Sequence, residues 1–532
     1  MGSRKFWILG AAVLALACYL AACGGSGSAI TPPPPAGNFS NASLNGQYAF
    51  SMSGAGLTSG AFIARVGSIV ADGQGHVTSG LEDLLDLGRG SPASQVTFSN
   101  GTYQIQANGR GLITLNVMGG GSLQLSASLQ SSGHGYVVQT DGLASTSGVL
   151  ELQTPQQFSA NAINGKYVFD FSGLSFAGAT PAPISLVGQF GADGNGNVTG
   201  GTTDVNNGSL APTGATALAP STYQLDTNGN GTNFGRGTMT LDGRTFAFYI
   251  VDATRLELLE EDQQGGSSGP AILQTGAIPT TNSGFKGAFA FLAGGSRATG
   301  TVGPNARAGR FAADGAGGIG TISFHENNDG NNTQLTPSSG ISSMSYAIDT
   351  TNAGSGRGTF TFHSSSLNTI TYVFYLYSPT RAVIQDVSAG IVANGTMVSQ
   401  SATSITAADL AGNYSFSWSG VELVQPAVFD ENYVGQYAQT SAATGNIGGV
   451  VDYSQLGLNT INTNGVTLNA GISGTLTIGG DGTQSNTYKI AIGGPSAFTV
   501  NFVAYFADGG TVLMVCSDGN RTTAGVAVPQ TQ

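Results

Sequence analysis

Acidic and amide side chains recur at fixed places in this chain, which raises first the question of a metal site. Asp72, Asp193 and Asp314 each sit in an Ala-Asp-Gly-x-Gly phrase, and eleven residues later stand Asp83, Asp204 and His325. Asn206 and Asn327 lie beside the last two. Paired oxygen-rich loops are what calcium needs, so Asp72, Asp193, Asp204 and Asp314 are the calcium candidates. The flanking β-type residues favour a plainer reading. In it the phrase is a hairpin turn whose glycines supply positive φ and whose aspartate bonds its own backbone. The expectation is therefore no metal, with calcium as the secondary reading.

Other chemistry is harder to assemble. Gly265-Gly-Ser-Ser-Gly269 has the spacing of a nucleophilic serine, but it reads as a glycine-rich loop ahead of a closing strand, with no strand-to-helix elbow. His76, His134, His325 and His363 have no zinc-ligand spacing. Arg110, Arg236 and Arg357 each stand in Gly-Arg-Gly. They could hold an anion; pairing with the chain's few carboxylates at the end of a folded unit is preferred. No catalytic set emerges, and the chain is not expected to be an enzyme.

Internal repetition organises these residues. An opening phrase occurs four times, as Leu44-Asn-Gly-Gln-Tyr-Ala-Phe-Ser-Met-Ser-Gly54 and again at 163–173, 285–295 and 410–420. Its glycines at 46, 165, 287 and 412 give a period of roughly 120 residues, the size of a domain. Large and small residues alternate along it, as on a half-buried strand. Each unit closes with Gly, four residues and Gln: Gly148 to Gln153, Gly269 to Gln274, Gly395 to Gln400 and Gly525 to Gln530. The units are 44–153, 163–274, 285–400 and 410–530, and the short segments between them imply that neighbours touch. The fourth lacks both the Asp-Gly turn and Gly-Arg-Gly, which suggests a distinct role or a cap on the array.

Each unit offers about seven or eight strand-like runs joined by short glycine turns, and no convincing helical period. The fold class expected is all-β: four tandem antiparallel up-and-down barrel-like domains, with β-sandwich domains as the alternative. The opening Gly-x-Tyr-x-Phe resembles, loosely, the Gly-x-Trp first strand of the calycins (lipocalins and avidins), though it lacks the tryptophan. That resemblance implies a barrel in which the last strand pairs with the first. Short, small-residue-rich strands without aromatic girdles do not suit a transmembrane barrel.

The first forty residues read as an export signal. Arg4 and Lys5 precede an uncharged run, Phe6 to Leu20, and residues 1–22 are read as a signal peptide. Leu20-Ala21-Ala22-Cys23 resembles the lipobox of bacterial lipoproteins. The resemblance implies cleavage before Cys23, lipid on its thiol, and a membrane partner through acyl chains. Gly24, where the enteric pattern would place a retaining aspartate, points to the outer membrane, with the folded part facing the periplasm or the cell surface. Residues 23–43 are a Gly/Ser and polyproline tether.

Composition narrows the partners. Charged residues are 9 % of the 532, and loss of Arg4 and Lys5 takes the net charge from −12 to about −14. Such a surface has no electrostatic footprint for nucleic acid. Besides Cys18 and Cys23 only Cys516 remains, read as a buried small hydrophobe. Trp418 stands where other units have Met52 and Phe171, a core place rather than a sugar platform. The leading expectation is a non-enzymatic envelope lipoprotein displaying four modules to an envelope protein or glycan, or acting as a spacer. The alternative is a barrel carrier of small apolar ligands. Cofactors are expected to be none beyond the covalent lipid.

Overall fold

The computed structural model describes residues 38–56, 61–89, 94–178, 181–208, 213–299, 302–336, 341–402, 405–424, 427–441, 445–458, 464–479, 487–493 and 499–531. The expected signal peptide, Cys23 and most of the tether lie outside them.

The chain is almost wholly antiparallel β. In the first unit eight strands, from Asn45–Gly56 to Ala144–Leu152, pair in sequence, and the last returns to the first to close a barrel. The fourth unit closes in the same way, Asn413–Val424 pairing with Arg521–Pro529. The second and third are nine-stranded sheets that are likewise continuous through the pairing of opening and closing strands. In the second, Ala182–Asp193 also pairs with Asn197–Asn206, which brings the sheet's ends together. In the third, a single bridge, Gly318 to Ser345, spans the remaining seam. The barrel expectation holds over the sandwich.

The recurring glycines have a steric cause at this closure. A Cβ on Gly148 would lie 1.8 Å from the Ser51 carbonyl oxygen, and one on Gly54 would lie 2.0 Å from that of Ser145. Gly269, Gly395 and Gly525 are equally crowded by the opening strand of their own units. At each of these points one of the two strands lacks a side chain, which leaves room for the other's backbone. A further glycine repeats in the second strand: Gly67, Gly188, Gly309 and Gly435 each lie beneath the ring of Phe50, Phe169, Phe291 or Phe416.

Each interior is a filled apolar core. The third unit packs Phe289, Phe291, Phe311, Phe324, Phe360 and Tyr372 among other buried side chains, and the other units match it with their own sets. Tyr103, Tyr223 and Tyr346 tie the start of each unit down, their hydroxyls donating to the carbonyls of Leu44, Ile163 and Phe285 at 2.7, 2.8 and 2.9 Å. Cys516 is buried, and Trp418 stacks on Phe416 in the fourth core. Gly265 to Gly269 is not a loop but the beginning of the closing strand Gly265–Leu273, where the Ser267 hydroxyl donates to Glu260 at 2.7 Å.

Candidate functional site

The polar residues that repeat are found at the seams between units. Asp83 of the first unit accepts both Nε and Nη2 of Arg236 of the second, at 2.8 and 3.0 Å. Asp204 of the second holds Arg357 of the third in the same fork, at 2.7 and 2.8 Å. Asp452 of the fourth holds Arg110 of the first at 2.6 and 2.8 Å. Tyr249 and Tyr375 add a hydroxyl to Asp83 and Asp204. These carboxylates are almost wholly buried, so both partners must be present for either to be tolerated. Burial opposes the charge on Arg236, but its hydrogen bonds to Asp83 outweigh this and raise its pKa.

The closing glutamines follow the same order around the molecule. Gln153 Nε2 donates to the carbonyls of Phe234 and Ile250, and Gln274 Nε2 to those of Ser355 and Leu376. Gln400 reaches Phe506 in the fourth unit, and Gln530 returns to Asn108 and Leu129 in the first. Apolar patches back each seam, such as Val66 and Leu85 against Tyr249 and Leu259, or Tyr136 and Val138 against Val434. The four units therefore form a closed ring. The fourth is not a cap on an open array, because it packs against the first.

The joint between the third and fourth units differs. His325 occupies the place of the aspartate, with Asn332 at 3.2 Å. Asn327 carries the joint instead, donating to the carbonyls of Cys516 and Arg521, both at 2.8 Å. Asn206 does the same at the preceding seam, reaching Asp386 and Ile391. An apolar patch of Ala306, Ala308, Val503, Leu513 and Val515 completes it.

The calcium candidates divide accordingly. Asp72, Asp193 and Asp314 occupy hairpin turns, where one carboxylate oxygen accepts two backbone N–H groups: those of Gln74 and His76, Asn195 and Asn197, and Ala316 and Gly318. Those N–H groups, with the His76 side chain, lower Asp72 to about 2. The eleven-residue spacing does not unite the acids. Asp72 is at the turn, whereas Asp83 pairs across the ladder with Val66, and Asp204 is committed to Arg357. Among the described residues, no group of three or more His, Cys, Asp or Glu could hold a metal ion. The Gly-Arg-Gly arginines do meet carboxylates: each pairs with one of another unit, and Arg236 and Arg357 also pair within their own units, with Asp226 and Glu261 and with Asp349.

Sequence reasoning did not single out the cavity on the ring's axis. It has a volume of about 680 Å³ and draws its walls from all four units, including Ser53, Ser172, Gly294 and Ser419 at equivalent places in the opening strands. An adjoining cavity of about 520 Å³ shares Ser147, Gly294, Asn394, Ser419 and Ala524 with it. Asp430 lines the first and Asp170 the second. Burial pushes both carboxyls up to about 7.

Comparisons with known proteins leave this architecture without a family. No family model matches the chain, and no curated protein does. Among solved structures, isotype 1 transferrin binding protein B from serogroup B Neisseria meningitidis is similar over 74 % of this chain and 82 % of its own, at 9 % identity and a TM-score of 0.20. A tryptophan-to-alanine mutant of the vaccine antigen transferrin binding protein B from Haemophilus parasuis Hp5 is similar over 76 % and 85 %, at 10 % identity and a TM-score of 0.19. At such TM-scores the likeness carries no argument about this protein.

Proposed function

We propose that this protein is a non-enzymatic cell-envelope lipoprotein. Lipid on Cys23 anchors it to the outer membrane, and the tether holds out four β modules for binding, adhesion or structural spacing, with an envelope protein or glycan as partner. The observation that carries this reading is the use made of the repeated polar residues. Asp83, Asp204 and Asp452 with their arginines build joints, and Asp72, Asp193 and Asp314 build turns. What repeats is thus the apparatus of a rigid scaffold. The filled lumens favour display over an apolar carrier, which needs an open barrel.

Labelled palmitate fed to cells tests the anchor. The native chain should take up label and fractionate with the outer membrane, and Cys23→Ala should do neither. Persisting label on the variant overturns the anchoring. Native mass spectrometry of gently extracted protein tests the role, since an apolar molecule retained in each barrel would restore the carrier.

A further inference from the structure

We propose that the axial cavity is a binding site for a small amphiphilic amine, an aliphatic chain ending in a primary ammonium that seats against Asp430. The inference goes beyond the display role and is independent of the lipid anchor.

The cavity is a product of ring closure, so the site belongs to the assembled chain and to no unit alone. Its volume falls within the usual range of small-molecule sites, roughly 300–1,000 Å³. Phe62, Leu174 and Leu458 give it an apolar wall suited to a hydrocarbon body. Asp430 is the one ionisable residue among the described residues lining it. Its carboxylate accepts the Asn432 amide at 2.7 Å, and among the described residues no cation pairs with it.

Asp170, in the adjoining cavity, accepts the Asn394 amide and likewise has no paired cation among the described residues. Arg255 lines that cavity too, but it is taken by Glu257 at 2.7 Å and lies 3.5 Å from Glu151. Asn305 adds an acceptor without a donor. It is 1 % exposed and lines the larger cavity, its Nδ2 donates to Glu326 at 2.9 Å, and its Oδ1 has no partner.

A surplus of acceptors and uncompensated negative charge calls for a ligand that brings donors and positive charge. A primary ammonium brings three donors and one charge. The raised carboxyls agree with this, since an ammonium would supply the missing counter-charge. A hard metal ion fits less well, because it needs six or more oxygens where the walls are largely carbon.

The test is calorimetric titration of the full chain with n-hexylamine in mildly alkaline buffer, with n-hexanol as the neutral control. We expect one saturable site per chain for the amine and none for the alcohol. Asp430→Asn should weaken binding about ten-fold or more, and Asp170→Asn, in the adjoining cavity, should weaken it less. Both variants keep the side-chain shape and remove a buried charge, and their melting curves will show that they fold. Absence of saturable heat, equal binding of hexanol, or unchanged affinity in Asp430→Asn overturns the proposal. None of these outcomes bears on the palmitate result.

Discussion

Asp83 and Arg236 meet in a two-point ion pair across 153 residues of chain, and Asp204 and Arg357 repeat that meeting at the same separation one unit further on. Arg110 and Asp452 make the third such pair by joining the first unit to the last. The same geometry therefore serves between sequence neighbours and between the chain's extremes. A ring follows from that equivalence, since a joint that always faces one way around closes when it meets its own beginning.

Removing one partner should be far worse than removing both. Arg110→Ala leaves Asp452 buried with only Ser126 and the Asn469 amide beside it, and should cost about 3–5 kcal/mol in denaturant unfolding. Arg110→Met combined with Asp452→Leu should recover much of that loss. A double variant as unstable as the sum of its parts would show that the pair is not the joint's organising contact.

Gln530 is the tie that reaches back from the end of the fourth unit. Gln530→Ala removes its bonds to the Asn108 and Leu129 carbonyls at 3.0 and 2.7 Å and should cost about 1–3 kcal/mol. Faster hydrogen exchange is expected in the facing parts of the first and fourth units and not at the joint between the second and third. Uniform acceleration would contradict a local tie.

Gly148→Ala tests the crowding at barrel closure. The added methyl would meet the Ser51 carbonyl at 1.8 Å, a backbone atom that cannot swing aside. The loss should exceed the ~1–3 kcal/mol of ordinary overpacking, with a clear drop in melting temperature. Gly119, on a hairpin with nothing near it, holds φ +98° and should lose only what its backbone strain imposes.

Asp430 and Asp170 make an opposite kind of prediction, in pH. Burial lifts both from 3.8 to about 7, so between those values the folded chain binds more protons than the unfolded one. Their stabilisation is full below about pH 4 and is lost as pH rises through 7. The groups facing Asp430 are Ser145 and Asn432, with a like charge from the neighbouring Glu431 adding to the rise, and that facing Asp170 is Asn394. Asp430→Asn should raise stability in mildly alkaline buffer by ~1–3 kcal/mol and flatten this part of the profile. A variant less stable than the native chain there would contradict the assignment.

Asp72 runs the other way. Its carboxyl is lowered to about 2 by the backbone N–H groups of its turn, so its contribution stands above about pH 4 and fades as pH falls toward 2. With those oxygens occupied, millimolar calcium should leave the melting temperature unchanged. A calcium-dependent rise that Asp72→Ala, Asp193→Ala or Asp314→Ala reduces would restore the metal reading.

What could be read from the residues alone was whatever acts within one unit. Alternation in Tyr48, Phe50 and Met52 marks a half-buried strand whatever surrounds it, and a Gly-to-Gln phrase repeated four times marks a fixed closing strand. The pairing of Asp83 with Arg236 was not legible. Each residue recurs in its own phrase, and nothing local says that the phrase of one unit answers that of the next. The signal was present all the same: the fourth unit lacks the arginine, and the third carries His325 where its partner would be. A missing donor opposite a changed acceptor is a coupled loss across units. The axial cavity was further out of reach, since its walls come from all four units and assemble only when the ring closes.

Ring closure also changes what a cut in the backbone can do. In an open string of domains, a nick between two of them leaves the outer part held by one interface, and a single opening releases it. Here each module is held from both sides. A nick in the short segment at 275–284 would leave the second and third units joined at their own seam and joined again through the other two. One seam that parts is held near its partner at high effective concentration and re-forms before a second parts. Shedding the second or third unit therefore requires two cuts and two simultaneous openings, and freeing the first or fourth from the rest requires one cut and two openings.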